Sequence, residues 1–213
     1  MTNDPQTSPV TESSSSLDRI FRPRGVAIIG ASNDPQKRGY QAVASLLQAS
    51  FAGGIYPVNP KGGEIRGIPV AKSVAEIEGD VDLALICTPA STVPDVLLEC
   101  AQGNIAGAVV LALGFREIGA EGEVLERKIH EVIERTGIRV IGPNTSGILD
   151  PHRGLNLIGV PDVPAGRVAL LSQSGNVSLQ FMIESMRRSR IGFSMVIGVG
   201  NEIDLRFDDY LDY

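Results

Sequence analysis

The chain has 213 residues, 43% of them hydrophobic, with 25 acidic against 19 basic side chains and a formal charge of −6. That is enough apolar sequence for one large packed domain, or for one domain and part of another. The acidic balance argues against non-specific nucleic-acid binding, and no run reaches the roughly 18 apolar residues of a membrane span.

Residues 1–16 are polar and rich in Ser, Thr, Asn and Pro, the composition of a disordered tail and not of a secretory leader. The first strand is expected over 25–30. Its apolar run Val26-Ala27-Ile28-Ile29 suits a parallel strand covered on both faces. It enters a loop, Gly30-Ala31-Ser32, and a helix follows Lys37, Arg38 and Gly39. Gly30 permits a tight turn and close approach of a ligand to the backbone. Unpaired amides and the macrodipole at the helix start favour a phosphate or pyrophosphate. The spacing is not G-x-G-x-x-G, so the strict dinucleotide fingerprint is absent and an ordinary strand-to-helix turn is the competing reading.

The second strand, over 54–59, ends at Asn59-Pro60-Lys61, where a NAD-binding domain carries an acidic residue for the ribose hydroxyls. A lysine there suits a phosphorylated ribose. NADP carries that phosphate at the 2′ position and coenzyme A at the 3′ position, and both stand open on these residues. The bland alternative for Lys61 is a solvated loop lysine. Further strands are expected over 83–88, 107–113 and 139–142, with helices over 38–49, 92–102 and 122–136 and a short helical turn over 73–77. Gly137 is the expected glycine at the end of the third helix. The alternation predicts an α/β fold, a Rossmann-like parallel sheet with helices on both faces and the ligand at the strands' carboxyl ends.

After Gly142 the pattern changes. Pro143-Asn144-Thr145-Ser146-Gly147 is rich in turn residues, 148–156 reads as a hairpin or extended link, and 160–166 reads as a joint. A new unit then begins, with a strand over 167–171, the loop Ser172-Gln173-Ser174-Gly175, a helix over 176–187, a strand over 193–200 and a helix from about Leu205. Two strands are few for a sheet, since open sheets commonly hold about 4–6. The expected domains are therefore a tail over 1–16, a first domain over 17–160 and an incomplete second one over 161–213, belonging to a longer protein or completed by a partner. Cys87 in an apolar strand and Cys100 in a helix read as core thiols in a reducing cytoplasm, and they form neither a disulfide framework nor a metal site.

Residues along most of the chain resemble the coenzyme A-binding part of the nucleoside-diphosphate-forming acyl-CoA synthetases, which include ADP-forming acetate–CoA ligase and the alpha subunit of succinyl-CoA synthetase. The stretches are VAIIGASNDPQKRG at 26–39, IYPVNPKGG at 55–63, ICTPA at 86–90, LGFRE at 113–117, VIGPNTSGIL at 140–149, VALLSQSG at 168–175 and VGNEID at 199–204. The Ala-Ser after the first glycine is closer to the acetate-type enzymes. The same module occurs in large bacterial protein acetyltransferases. The resemblance implies a flavodoxin-like second domain. It also implies that Gly30, Ala31, Ser32 and Arg38 cradle the CoA phosphates, and that Val58, Asn59, Pro60 and Lys61 flank the adenosine and its 3′-phosphate. Thr88, Pro89 and Ala90 would line the nucleotide cleft, Leu113, Gly114 and Phe115 the pantetheine arm, and Asn144 the thiol end. Ser174, Gly175 and Asn176 would bind the phosphoryl group of a phosphohistidine at a helix start.

The family's histidine and its ATP-grasp region would lie outside this chain. His130 reads as a helix-surface residue and His152 as part of the joint, so no catalytic residue is expected, and the chain is read as binding CoA or acyl-CoA without turning it over. The implied partners are a small CoA thioester and the rest of the synthetase, with no nucleic acid and no membrane. Two other readings remain: a CoA-sensing regulatory module of a protein acetyltransferase, and an NAD(P)-binding oxidoreductase domain. Bland readings apply elsewhere. Cys87 is a buried thiol without a placed base, Ser174 misses the G-x-S-x-G pattern, Asp204, Asp208 and Asp209 form a solvated or capping cluster, and Phe51 and Phe115 pack.

Overall fold

The computed structural model describes residues 11–189 and 191–213, so the part of the expected tail at 1–10 lies outside the described residues. The first described element is α1 (Thr11–Phe21), a helix that begins inside the stretch read as tail. Its Leu17, Ile20 and Phe21 are buried in the core.

The first sheet holds β1 (Gly25–Ile29), β2 (Gly54–Val58), β5 (Leu83–Ile86), β6 (Gly107–Val110) and β7 (Arg139–Ile141) in the order β2-β1-β5-β6-β7. All of its pairings are parallel. Between β2 and β5 lies a small antiparallel hairpin, β3 (Glu64–Ile65) and β4 (Ile68–Pro69), absent from the sequence reading. The three central strands, β1, β5 and β6, are buried along their length because side chains alternate between two cores. Val26, Ile28, Leu83, Leu85 and Val109 point into one core, while Ala27, Ile29, Ala84, Ile86 and Val110 point into the other. The second core is closed by α3 (Val93–Gln102) through Val93, Leu97 and Cys100, and by α4 (Ala120–Thr136) through Ile129 and Val132. The first is closed by α1 and by Ala42, Val43 and Leu46 of α2 (Arg38–Gln48).

The second sheet differs from expectation. It has four strands, β8 (Ile148–Asp150), β9 (Leu155–Asn156), β10 (Ala165–Ser172) and β11 (Phe193–Gly198), in the order β10-β11-β8-β9. The 148–156 segment is a hairpin, and its first strand pairs antiparallel with β11 through Leu149 opposite Val196. A boundary at 160/161 therefore cuts through this sheet. Ile148, Leu155, Leu157, Ile197 and Val199 bury their side chains in the first sheet's core, which explains why the hairpin is apolar. α5 (Gly175–Glu184) follows β10 and passes into a π turn at Ser185–Ser189, while α6 (Phe207–Asp212) lies near α1. Phe21 stacks edge-on to Tyr210 at 6.1 Å between ring centres. Among the described residues no helix is long and apolar enough to cross a membrane.

At the amino end of the first sheet Asp82 holds the chain's entry. Its buried carboxylate accepts from Arg19 Nε at 2.8 Å, Arg24 Nε at 2.8 Å and the Arg24 amide at 3.0 Å. The Arg24 bond, against the cost of burial, holds this carboxyl well below the usual carboxylate range.

Candidate functional site

The chain leaves β1 for β2 on one side and then crosses to β5 on the other, which makes the carboxyl ends of β1 and β5 the switch point of the sheet. A cleft of about 440 Å³ lies there. It is lined by Gly30, Ala31, Ser32, Asn33, Asp34 and Lys37 after β1, by Asn59, Lys61 and Gly62 after β2, by Ile65 and Val70 around the small hairpin, and by Cys87, Thr88 and Pro89 after β5.

Local sequence builds this cleft. Gly30 takes φ of +84°, and a Cβ there would lie 2.9 Å from the Thr88 methyl. Gly39 lets α2 press on the loop, since its Cβ would meet Ala31 Cα and the Gly30 oxygen at 2.8 Å. Asn59 fixes the facing lip. Its Nδ2 donates to the Ala31 carbonyl at 2.6 Å and its Oδ1 accepts from the Lys61 amide at 3.0 Å. No side chain caps α2, so its first-turn amides remain unpaired donors at the rim.

Several of the expected residues have partners within the fold. The Gly30 and Ala31 amides both donate to Val58 O, at 3.0 and 3.2 Å, and so brace the turn. Val58 itself is a buried strand residue that contributes this carbonyl. Arg38 points elsewhere. Its Nη atoms donate to the carbonyls of Ile158 at 3.2 Å and of Ser146 and Leu157 at 3.4 Å, making it a strut to the second sheet. Phe115 is wholly buried and packs in the core. Pro60 is exposed and Ala90 half-buried beside the cleft, and neither lines it.

The remaining expected residues except Gly114 gather in a second depression of about 490 Å³, lined by Leu113, Asn144, Thr145, Ser146, Gln173, Ser174, Gly175 and Asn176. Ser174 is the N-cap of α5, its Oγ accepting from the Val177 amide at 3.4 Å. Among the described residues, Ser146 Oγ is the buried side-chain oxygen left without a partner, and it belongs to this wall. The loop after β6 lies close to the loop after β5: a Cβ on Gly114 would lie 3.3 Å from the Ala90 methyl, next to Pro89 of the first cleft.

Sequence reasoning missed Asn33, Asp34, Gly62, Ile65 and Val70 as lining residues. The doublet Gly62-Gly63 followed by Gly67 was the available sign of the hairpin that carries Ile65 and Val70. Burial pushes the Cys87 thiol up to about 12 even with the Arg38 guanidinium acting the other way, so at neutral pH it is an inert wall residue. His130 is exposed on α4, and His152 Nε2 lies 2.9 Å from Gly166 O, outside both depressions. Asp204 bonds Arg139 Nε at 2.9 Å and Asp209 accepts from the Arg206 amide at 2.8 Å, which are structural and capping roles.

Residues 24–151, more than half of the sequence, match the family model of the CoA binding domain. The chain belongs to that family. Residues 165–213 of this CoA-binding chain match a second model, the succinyl-CoA ligase like flavodoxin domain. The chain is 42% identical over 198 residues to the alpha subunit of acetate–CoA ligase [ADP-forming] II of Pyrococcus furiosus, covering 92% of this chain and 43% of that one. It is 43% identical to the acetate–CoA ligase [ADP-forming] of Methanocaldococcus jannaschii, of which it covers 27%. A solved structure of the dinucleotide forming acetyl-coenzyme A synthetase 1 of Ca. Korarchaeum cryptofilum, in complex with phosphate and ADP, superposes with a TM-score of 0.87 at 38% identity, over 92% of this chain and 42% of that one. The chain thus spans less than half the length of these relatives.

Proposed function

We propose that this chain is the coenzyme A-holding part of an ADP-forming acyl-CoA synthetase, an acid–thiol ligase. The adenosine 3′-phosphate end of the ligand lies in the first cleft and its thiol end reaches the second depression. The supporting observation is the switch-point cleft itself. It sets an apolar wall, Ile65 and Val70, beside the ammonium groups of Lys37 and Lys61 and the uncapped start of α2. The adenine lies against the apolar wall, Lys61 meets the 3′-phosphate and Lys37 the diphosphate. The arm passes Ala90 and Gly114 towards Leu113 and Asn144. There Ser174, Gly175 and Asn176 at the start of α5 offer amides to a phosphoryl group. The partners are the ATP-grasp and remaining ligase regions, in the same or another polypeptide, in a cytoplasm that keeps Cys87 and Cys100 as free thiols.

Calorimetric titration tests this reading. CoA binds, and dephospho-CoA binds about tenfold more weakly, the loss expected for one charge-assisted contact. Lys61→Ala removes that difference. Tight binding of NADPH with no competition from CoA overturns the reading in favour of an oxidoreductase domain.

A further inference from the structure

Glu117 lies outside both depressions, yet it closes a ring of hydrogen bonds around the second one. Its Oε1 accepts from the Gly114 amide at 2.7 Å, and its Oε2 accepts from Asn201 Nδ2 at 3.3 Å. Asn201 Oδ1 accepts from Asn144 Nδ2 at 3.3 Å, and the Asn144 amide donates to Ala112 O at 3.0 Å. The Asn201 backbone ties in as well, its amide donating to Pro143 O at 2.8 Å and its carbonyl accepting from Arg116 Nη2 at 3.0 Å. The ring links three separate loops, those after β6, β7 and β11.

Two members of this ring have left-handed backbone. Gly114 takes φ of +109°, which a glycine adopts freely, and Asn144 takes φ of +57°, which costs a residue with a side chain and persists where the surroundings hold it. Leu113, next to Gly114, and Asn144 are both wall residues of the second depression. The side chain of Leu113 is 65% exposed, so packing does not hold it there. Burial alone would push the Glu117 carboxyl up, but the amides of Gly114, Glu117 and Phe115 and the Asn201 side chain outweigh it, and the group stays below its ordinary value as an ion.

We infer that Glu117 is a positioning residue for the thiol arm of the ligand, holding Leu113 and Asn144 in register through Gly114 and Asn201. This rests on the CoA reading and adds to it which residue orders the arm-binding wall. The chemistry requires a carboxylate. Both oxygens of Glu117 accept, one from a backbone amide and one from an amide side chain. A glutamine presents one oxygen and one NH₂. It would satisfy Gly114 only by setting donor against donor at Asn201, a clash relieved only when Asn201 and Asn144 both turn over.

The test compares two ligands on the purified chain. CoA spans both depressions, while 3′-phosphoadenosine 5′-phosphate fills the first cleft alone. For Glu117→Gln, CoA affinity falls about tenfold and that of the short nucleotide changes by less than about twofold, as expected for one lost charge-assisted network. Asn201→Ala gives the same split, and the double variant is no weaker than the worse single one, because both act through one ring. Equal losses on both ligands, no loss on either, or additive losses in the double variant overturn the inference while leaving CoA binding intact. Failure of both ligands to bind the unaltered chain overturns the CoA reading and this inference with it.

Discussion

The two sheets use the same apolar alphabet to different ends. In the first, every residue of β1, β5 and β6 is buried, because helices or the second sheet cover both faces. In the second, the face towards the first sheet is equally closed, but β10 is an edge strand whose residues are exposed or half-buried. Val168, Val177 and Phe181 stand 39%, 61% and 45% exposed on β10 and α5. A parallel strand is ordinarily covered on both sides. The contrast teaches that an apolar run marks a strand, while its partners decide whether the strand adds stability. The first sheet carries the fold, and the outer side of the second borrows its order from the inner one.

The largest effect that sharpens this contrast comes from Ile28→Ala. Ile28 is fully buried at the middle of β1, and the cavity should cost about 3–4 kcal/mol in urea unfolding. A loss below about 1 kcal/mol would break the view that the first sheet carries the fold.

Next comes Asp82→Asn, expected to cost about 2 kcal/mol through the weakened bonds to Arg19 and Arg24. The pH dependence has a definite sign. The folded-state pKa of Asp82 is depressed, so its contribution is present above the ordinary carboxylate value near 4 and is lost as pH falls below it. Unfolding of the unaltered chain should therefore lose more stability between pH 7 and pH 3 than that of Asp82→Asn. Equal losses would remove Asp82 as the acid-sensitive link.

The smallest effect belongs to the open side. Val177→Ala should stay within about 0.5 kcal/mol of the unaltered chain. Hydrogen exchange read by mass spectrometry should be faster in β10 and α5 than in β1 and β5. Equal protection in the two regions would erase the distinction.

The first sheet was legible because its signals are local. The apolar runs begin at Gly25, Gly54, Leu83, Gly107 and Arg139, where the strands begin, and Gly137 takes the left-handed φ of +73° expected after α4. The second sheet was less legible because β8 joins it through a pairing with β11 about 48 residues away along the sequence, which no local pattern reports. The helix at Thr11–Phe21 was hidden by a serine-rich composition and is held by tertiary burial of Leu17, Ile20 and Phe21. The site followed the same rule. The loops containing Gly30, Asn59 and Thr88 were readable as strand ends. The use of Arg38 as a strut was not, since its acceptors, Ser146, Leu157 and Ile158, lie in another part of the sequence. The burial of Phe115 agrees with its reading as a packing residue.

With Arg38 committed to those carbonyls, the positive charge among the residues lining the first cleft rests on Lys37 and Lys61, two exposed ammonium groups. A guanidinium fork would grip a phosphate through paired, directional bonds. Lone ammonium groups on flexible stems act through the open field, with Asp34 subtracting from it. Ions in the surrounding water screen such a field over about 8–10 Å at physiological strength. The hold of this cleft on a polyanion is therefore set as much by the saltiness of its medium as by its own shape.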